Sequence, residues 1–207
     1  MKSTKGTSNF LQLLVYEKNV ITGQQKWITA VGISPQYWLK SFHILKITTA
    51  DTKLQWFQIR ILHNILTTNR TVSKFMTNQT DLCEFCGSHS ETIQHLMWYC
   101  SKVQHFWIEL FNILKNRSSQ HTSLVLSQSL VLFGLCPLNS IDRTCHLIIL
   151  MAKFYIYRSK VHKTNLNLRH FIKEVYNRYT IEMYIHNNSE DFKNAWASYL
   201  NLFKSLL

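Results

Sequence analysis

Apolar residues recur at intervals of three and four along most of this chain, the spacing that places them on one face of an α-helix. Over residues 24–49 the pattern forms two helical sets separated by Pro35, where a helix should break. The next predicted helix follows Asp51, a candidate N-cap. Its inward-facing residues are Leu54, Phe57, Ile61 and Ile65.

Further helices are predicted over 101–115, 142–160, 167–186 and 189–203. Ser101 is a candidate N-cap, with Gln104 three residues later as its capping-box partner. The segment 124–135 is rich in β-forming residues, but a short buried helix explains it equally well. With five Gly and two Pro in 207 residues, the chain leaves long stretches uninterrupted. The pattern therefore predicts a mainly α protein.

The charge of the chain indicates which classes of binding partner are favoured. Lys and Arg number 23 against 11 Asp and Glu, a formal net charge of +12. This excess favours a polyanionic partner, first nucleic acid and second an anionic membrane surface. A basic protein without a polyanionic partner is the third interpretation, since charge governs association and not fold.

Membrane insertion and secretion are not expected from the sequence. No segment approaches the ~18 apolar residues that span a bilayer, and the nearest, 147–157, is interrupted by Lys153. The first residues, MKSTKGTSNF, lack the apolar region of a secretory signal. Five Cys is an odd number, and three of them crowd one segment. This usage favours metal binding in a reducing, intracellular compartment over a disulfide framework.

The crowded segment contains Cys83, Cys86, His95 and Cys100, in the order Cys-x2-Cys-x8-His-x4-Cys. A Cys-x2-Cys pair lets two thiolates reach one ion from a tight turn, and Gly87 suits such a turn. On an unbroken α-helix, positions five apart lie about 140° apart, so His95 and Cys100 would not converge. We therefore expect the first helix to end near Tyr99, with Cys100 at a corner before the next helix.

Four N and S donors that leave no position for water describe a structural Zn²⁺ site and not a catalytic one. His89 is a rival for the fourth ligand, although its spacing from Cys86 is short. Unliganded thiols are the other alternative, because Cys is also common as a plain buried residue. Cys136 and Cys145 are predicted to be core residues. The expected architecture is a helical domain with a small CCHC turn-helix element, a zinc clip.

These motifs together resemble the zinc-binding segment that follows the reverse transcriptase in LINE-type (non-LTR, L1/Tx1-like) retrotransposons. The resemblance begins in a helix that ends in IL-T-N, continues through the Cys/His motif and includes a Trp after it. The matching positions are Arg60, Leu62, Leu66, Thr67, Asn69, Cys83, Cys86, Glu91, Thr92, His95, Leu96, Cys100 and Trp107. The resemblance extends upstream and downstream, over nearly the whole chain, and its central motif is specific.

The resemblance implies three parts: a helical segment after the polymerase (1–80), a CCHC zinc-binding element (81–115) and a C-terminal helical segment (116–207). One departure bears on activity. Reverse transcriptases of this family carry an Asp-Asp pair for two catalytic metal ions, and no such pair occurs here. The endonuclease of these elements is missing too. We therefore expect no enzymatic activity and a chain that corresponds to the C-terminal end of the element's second protein.

By resemblance, the chain is expected to bind RNA or DNA with weak sequence specificity. Nuclear residence is likewise an expectation from the family. Phosphate contacts are expected from Arg60, Lys74, Lys153, Arg158 and Lys160. Stacking surfaces are expected from Trp56, Tyr155 and Tyr157. A protein of another class, a zinc-braced helical scaffold for protein–protein interaction, is the alternative, and weak salt dependence of binding would distinguish it.

Overall fold

The computed structural model describes residues 22–115, 124–135, 142–185 and 189–204. Its helices are α1 Thr22–Val31, α2 Pro35–Thr48, α3 Thr52–Leu62, α4 Asn69–Val72, α5 Ser101–Lys115, α6 Gln128–Phe133, α7 Arg143–Val161, α8 Leu168–Ile185 and α9 Glu190–Lys204. A π-helical turn, His95–Tyr99, precedes α5. In these ranges the extended residues form only one isolated antiparallel bridge, between Leu82 and Ser90. The prediction of a mainly α protein is confirmed.

Local capping residues set several helix boundaries. Pro35 is the first residue of α2, where its missing N–H is not needed. The side chain of Asp51 accepts hydrogen bonds from the backbone N–H groups of Lys53 and Leu54, so the predicted N-cap of α3 is confirmed. Asp142 caps α7 in the same way by accepting from the N–H of Cys145.

Three local predictions need correction or completion. Helix α3 ends at Leu62 and Asn64 adopts a positive φ of 56°, so Ile65 leaves the helical stripe and is 62% exposed instead of inward-facing. Ser101 is the first residue of α5 and not its N-cap. The ambiguous segment 124–135 contains the buried helix α6 and no strand. The core prediction for Cys136 lies outside the described residues.

The C-terminal end of α3 is held by two tryptophans from the preceding helices. The indole N–H of Trp27 donates to the carbonyl of Ile61 at 2.9 Å, and that of Trp38 donates to the carbonyl of Leu62 at 3.1 Å. Both carbonyls lie in the last turn of the helix, where no intrahelical partner remains. A Cβ at Gly23 would lie 2.4 Å from the carbonyl oxygen of His63, so α1 meets the end of α3 at backbone contact.

One hydrophobic core joins the segments on either side of the Cys/His motif. Phe57 of α3 packs edge-on against Phe154 of α7, and Phe106 of α5 contacts both Tyr155 of α7 and Phe171 of α8. The metal-binding segment is therefore part of this core. No helix in the described ranges is long and apolar enough to cross a membrane.

Candidate metal centre

The first two cysteines lie on a tight turn held by backbone hydrogen bonds. The N–H of Cys83 donates to the carbonyl of His89, and the N–H of Gly87 donates to the carbonyl of Cys83, each at 2.8 Å. Gly87 adopts a φ of 62°, in the left-handed region that a residue with a Cβ rarely enters. The expected role of Gly87 in the turn is confirmed.

The second pair of donors comes from the π-helical turn. The N–H of Cys100 donates to the carbonyl of His95 at 2.8 Å, a bond between residues five positions apart. Cys100 itself has extended backbone angles, so the helix stops there and α5 begins at Ser101. The predicted corner at Cys100 is confirmed. The sequence argument considered only an α-helix and did not predict the wider π-helical turn. In that turn, residues five positions apart are joined by a backbone hydrogen bond.

The four donor atoms of Cys83, Cys86, His95 and Cys100 all lie within 4.8 Å of one another. The Sγ atoms of Cys83 and Cys100 are 3.8 Å apart, and Sγ of Cys86 is 3.3 Å from Nε2 of His95. Tetrahedral zinc with Zn–S bonds of about 2.3 Å requires thiolate sulfurs about 3.8 Å apart. The cluster is therefore suited to hold zinc in donor type and in spacing.

The rival ligand, His89, is exposed and outside this group of donors. Its ring stacks on that of His95, with centroids 5.4 Å apart. Three of the four clustered residues are buried and Cys86 is half-buried, so the site is closed by protein on most sides. A closed set of four donors gives a bound ion a structural role and leaves it no position for substrate.

The electrostatic environment differs among the donors. The thiol of Cys83 donates a hydrogen bond to Cys100, which lowers the pKa of Cys100 and raises that of Cys83. Burial, together with the nearby His89, lowers the pKa of His95 below its usual value. His95 is therefore neutral near pH 7, the form in which an imidazole nitrogen binds a metal.

A buried carboxylate connects the Cys83/Cys86 turn to the rest of the fold. Glu91 has no exposed surface, and its two oxygens accept the backbone N–H groups of Asn69 at 2.8 Å and Glu84 at 3.0 Å. The ammonium group of Lys160, at the end of α7, lies 3.2 Å from the same carboxylate. Asn69 adds a side-chain hydrogen bond to the carbonyl of Leu82 at 2.8 Å. Sequence reasoning placed Glu91 and Asn69 in a motif but did not assign them these contacts.

The tryptophan after the motif supports the π-helical turn. The indole N–H of Trp107 donates to the carbonyl of Met97 at 2.9 Å, and its ring is fully buried. The hydroxyl of Thr92 accepts the N–H of His95 at 3.0 Å at the other end of the turn. These two side chains, on either side of His95 and Cys100, stabilise the backbone that presents both donors.

Four of the predicted nucleic-acid contacts lie at or near the surface. Trp56 on α3 is 65% exposed, Arg60 on the same helix is half-buried, and Lys74 after α4 is exposed. Arg158 is also partly exposed, but its guanidinium forms an ion pair with Glu174.

Three others are placed in the interior. Lys153 is 3% exposed and its ammonium donates to the side-chain oxygen of Gln58. Lys160 is 9% exposed and paired with Glu91, and Tyr155 is buried with its hydroxyl near the backbone of Asn167. Their burial leaves these three side chains little surface to offer a nucleic acid, and their contact with it stays a prediction. Helix α7 is packed against α2, α3, α6 and α8, so these neighbouring helices cover most of its sides.

Comparison with known proteins agrees with this geometry. Residues 28–107 match the family model for zinc-binding in reverse transcriptase. The matched range contains all four clustered donors, Glu91 and Trp107. It identifies this segment as a zinc-binding domain of the kind associated with reverse transcriptase, and no polymerase domain is matched. No curated protein matches the chain.

Proposed function

We propose that this chain is a non-catalytic nucleic-acid-binding module derived from the second protein of a LINE-type retrotransposon and stabilised by one structural zinc. The observation that carries the proposal is that two findings, the family match and the donor cluster, fall in the same segment. The matched zinc-binding segment contains a cluster of Cys83, Cys86, His95 and Cys100 with zinc spacing. The proposed derivation from a LINE-type retrotransposon rests on the order of the LINE-type motifs around that cluster.

Zinc in this proposal is bound by all four clustered side chains and does no chemistry. It joins the Cys83/Cys86 turn to the backbone between the π-helical turn and α5. Because those elements are separated by loop residues, the binding energy of the metal is partly folding energy. Reduced thiols are required, so we place the protein in an intracellular, reducing compartment, and the family relationship favours the nucleus.

Nucleic acid is the proposed partner because the chain has a net charge of +12 and keeps exposed basic and aromatic side chains around the zinc segment. Trp56 and Lys74 are the most exposed of the residues expected to take part. Lys and Arg contacts to phosphate carry little sequence information, so the proposed binding to RNA or DNA is weakly specific.

The test is fluorescence anisotropy of a labelled single-stranded RNA with zinc-loaded protein at several salt concentrations. If several cations contact phosphates, the affinity falls by orders of magnitude between about 50 and 200 mM salt. The Cys86→Ser variant should bind more weakly, because its zinc segment loses order. Absence of binding at the lowest salt contradicts the proposal and favours a zinc-braced scaffold for a protein partner.

A further inference from the structure

A broad groove lies beside the zinc segment. One wall is α1, with Lys26. The other is the loop after α3 together with α4, which contribute Ile65, Arg70 and Lys74, and Gln94 lies at the entry to the π-helical turn. The groove encloses about 1100 Å³. This volume lies just above the roughly 300–1,000 Å³ of small-molecule clefts, so the choice of ligand depends on the chemistry of the lining residues.

The charge of the groove has one sign. Lys26, Arg70 and Lys74 are all exposed, and none of them forms an ion pair within the described ranges. No Asp or Glu is among the residues that line the groove. The buried Lys160 and the surface residue Arg158, by contrast, are each matched by a carboxylate. The groove therefore holds basic groups that are available to an anionic partner.

The walls of the groove are tied to the zinc segment. The side chain of Gln94 donates to the carbonyl of Ala30 at 3.4 Å, across from the π-helical turn to α1. The start of α4 is held by the two hydrogen bonds from Asn69 to Glu91 and Leu82. The positions of Arg70 and Lys74 relative to Lys26 therefore depend on the zinc segment being ordered.

Apolar surface accompanies the basic groups. Ile65 in the groove lining is 62% exposed, and Phe75, which follows Lys74 along the chain but lies outside the lining, is 83% exposed. An exposed aromatic ring beside cations is the combination on which unpaired bases stack while the backbone is held by charge. Paired bases in a duplex do not offer their faces to such a ring.

We propose that this groove binds single-stranded nucleic acid, with Lys26, Arg70 and Lys74 on phosphates and Phe75 stacked on a base. The inference rests on the proposed function and gives it a location. None of these residues except Lys74 was expected from the sequence to contact nucleic acid. The groove also supplies a reason for a zinc site beside it, since the metal orders one of its walls.

The test compares two double variants with equal changes in charge in the anisotropy assay. Arg70→Glu/Lys74→Glu alters the groove, and Lys173→Glu/Lys204→Glu alters exposed lysines of α8 and α9 outside it. We expect the groove variant to lose affinity at least about 30-fold more than the control. The slope of log affinity against log salt should fall by roughly 1.4 for two lost single-strand phosphate contacts. Zinc content and circular dichroism should not change in either variant, because the altered side chains are exposed.

A third variant separates stacking from charge. Phe75→Ala should weaken binding of single-stranded RNA by roughly 5- to 150-fold, the range for loss of one stacked base. Its binding of duplex RNA should be unchanged. Equal losses in the groove and control pairs, or no effect of Phe75→Ala, overturn the location while leaving the proposed function standing. No binding by the unaltered protein overturns both.

Discussion

The ammonium nitrogen of Lys160 lies 3.2 Å from a carboxylate oxygen of Glu91, and both side chains are buried. Lys160 belongs to the end of α7, while Glu91 precedes the π-helical turn that presents His95. The same carboxylate accepts backbone hydrogen bonds from Asn69 and Glu84. One acidic side chain thus connects the Cys83/Cys86 turn, α4 and α7.

We predict that Glu91→Ala lowers the free energy of unfolding by about 3–5 kcal/mol, because it leaves a buried ammonium and two backbone donors without their partner. Urea unfolding of the zinc-loaded protein measures the change. The matched control is Glu190→Ala, which breaks an exposed pair with Lys193 and should cost less than about 1 kcal/mol. Similar losses in the two variants would show that the Glu91 contacts contribute no more than surface contacts do.

Loss of one metal ligand should loosen a defined part of the chain. In Cys86→Ser and His95→Ala we expect loss of bound zinc and faster hydrogen exchange over 80–115. Because Phe106 packs on Tyr155 and Phe171, exchange should also rise in the second half of α7. The measurement is hydrogen exchange by mass spectrometry with zinc quantified in the same sample.

The control for that experiment is Cys145→Ser, which alters a buried thiol outside the cluster. It should retain its zinc and the protection over 80–115. Unchanged protection in either ligand variant would contradict a structural role for the metal.

Trp107→Phe tests the support of the π-helical turn. The change keeps an aromatic ring but removes the N–H that binds the carbonyl of Met97, which then lies buried without its partner. We expect a loss of about 1–3 kcal/mol in stability, together with weaker zinc binding in a competition assay with a chromophoric chelator. The same stability loss with unchanged zinc affinity would mean that the hydrogen bond stabilises the core without positioning the donors.

The buried ammonium of Lys153 should make stability depend on pH. Burial lowers the pKa of Lys153 from 10.5 to about 7. Between these values the unfolded chain binds more protons than the folded one, so the contribution of this group to stability rises as pH increases from 7 toward 10. Below pH 7 both states are protonated, and the full cost of burying the charge is present.

Lys153→Met removes this titration. We expect the difference in unfolding free energy between Lys153→Met and the unaltered protein to favour the variant most near pH 6 and to shrink as pH rises. Urea unfolding at several pH values measures it, and taking the difference cancels groups that the proteins share. A difference that is constant with pH would show that Lys153 titrates normally in the fold.

Several features followed from the sequence because they depend on nearby residues. Asp51 caps the helix that follows it through hydrogen bonds to groups two and three positions away. Pro35 divides α1 from α2 because it fixes its own backbone angle and lacks an N–H. The Cys-x2-Cys turn with Gly87 likewise depends on residues that are close together in the sequence. For such features the order of residues along the chain contains most of the information.

The remaining features were decided by tertiary packing. The sequence predicted α7 as a helix and offered Lys153, Tyr155 and Lys160 to nucleic acid, but four helices pack around α7 and bury all three side chains. Hydrophobic spacing shows which face of a helix is most apolar. How many faces are covered depends on distant elements, as does whether a buried lysine finds a partner such as Glu91.

The π-helical turn and the groove depend on the same kind of contact. The residues His95–Tyr99 are compatible with an ordinary helical turn, and the wider one is held by Trp107, ten residues beyond Met97. Lys26 and Lys74 are far apart along the chain and line one groove because α1 packs on the end of α3. Sequence by itself determined the helical class and the zinc donors, since both rest on local spacing. Burial and the shape of the surface were decided only by the packing of helices from distant parts of the chain.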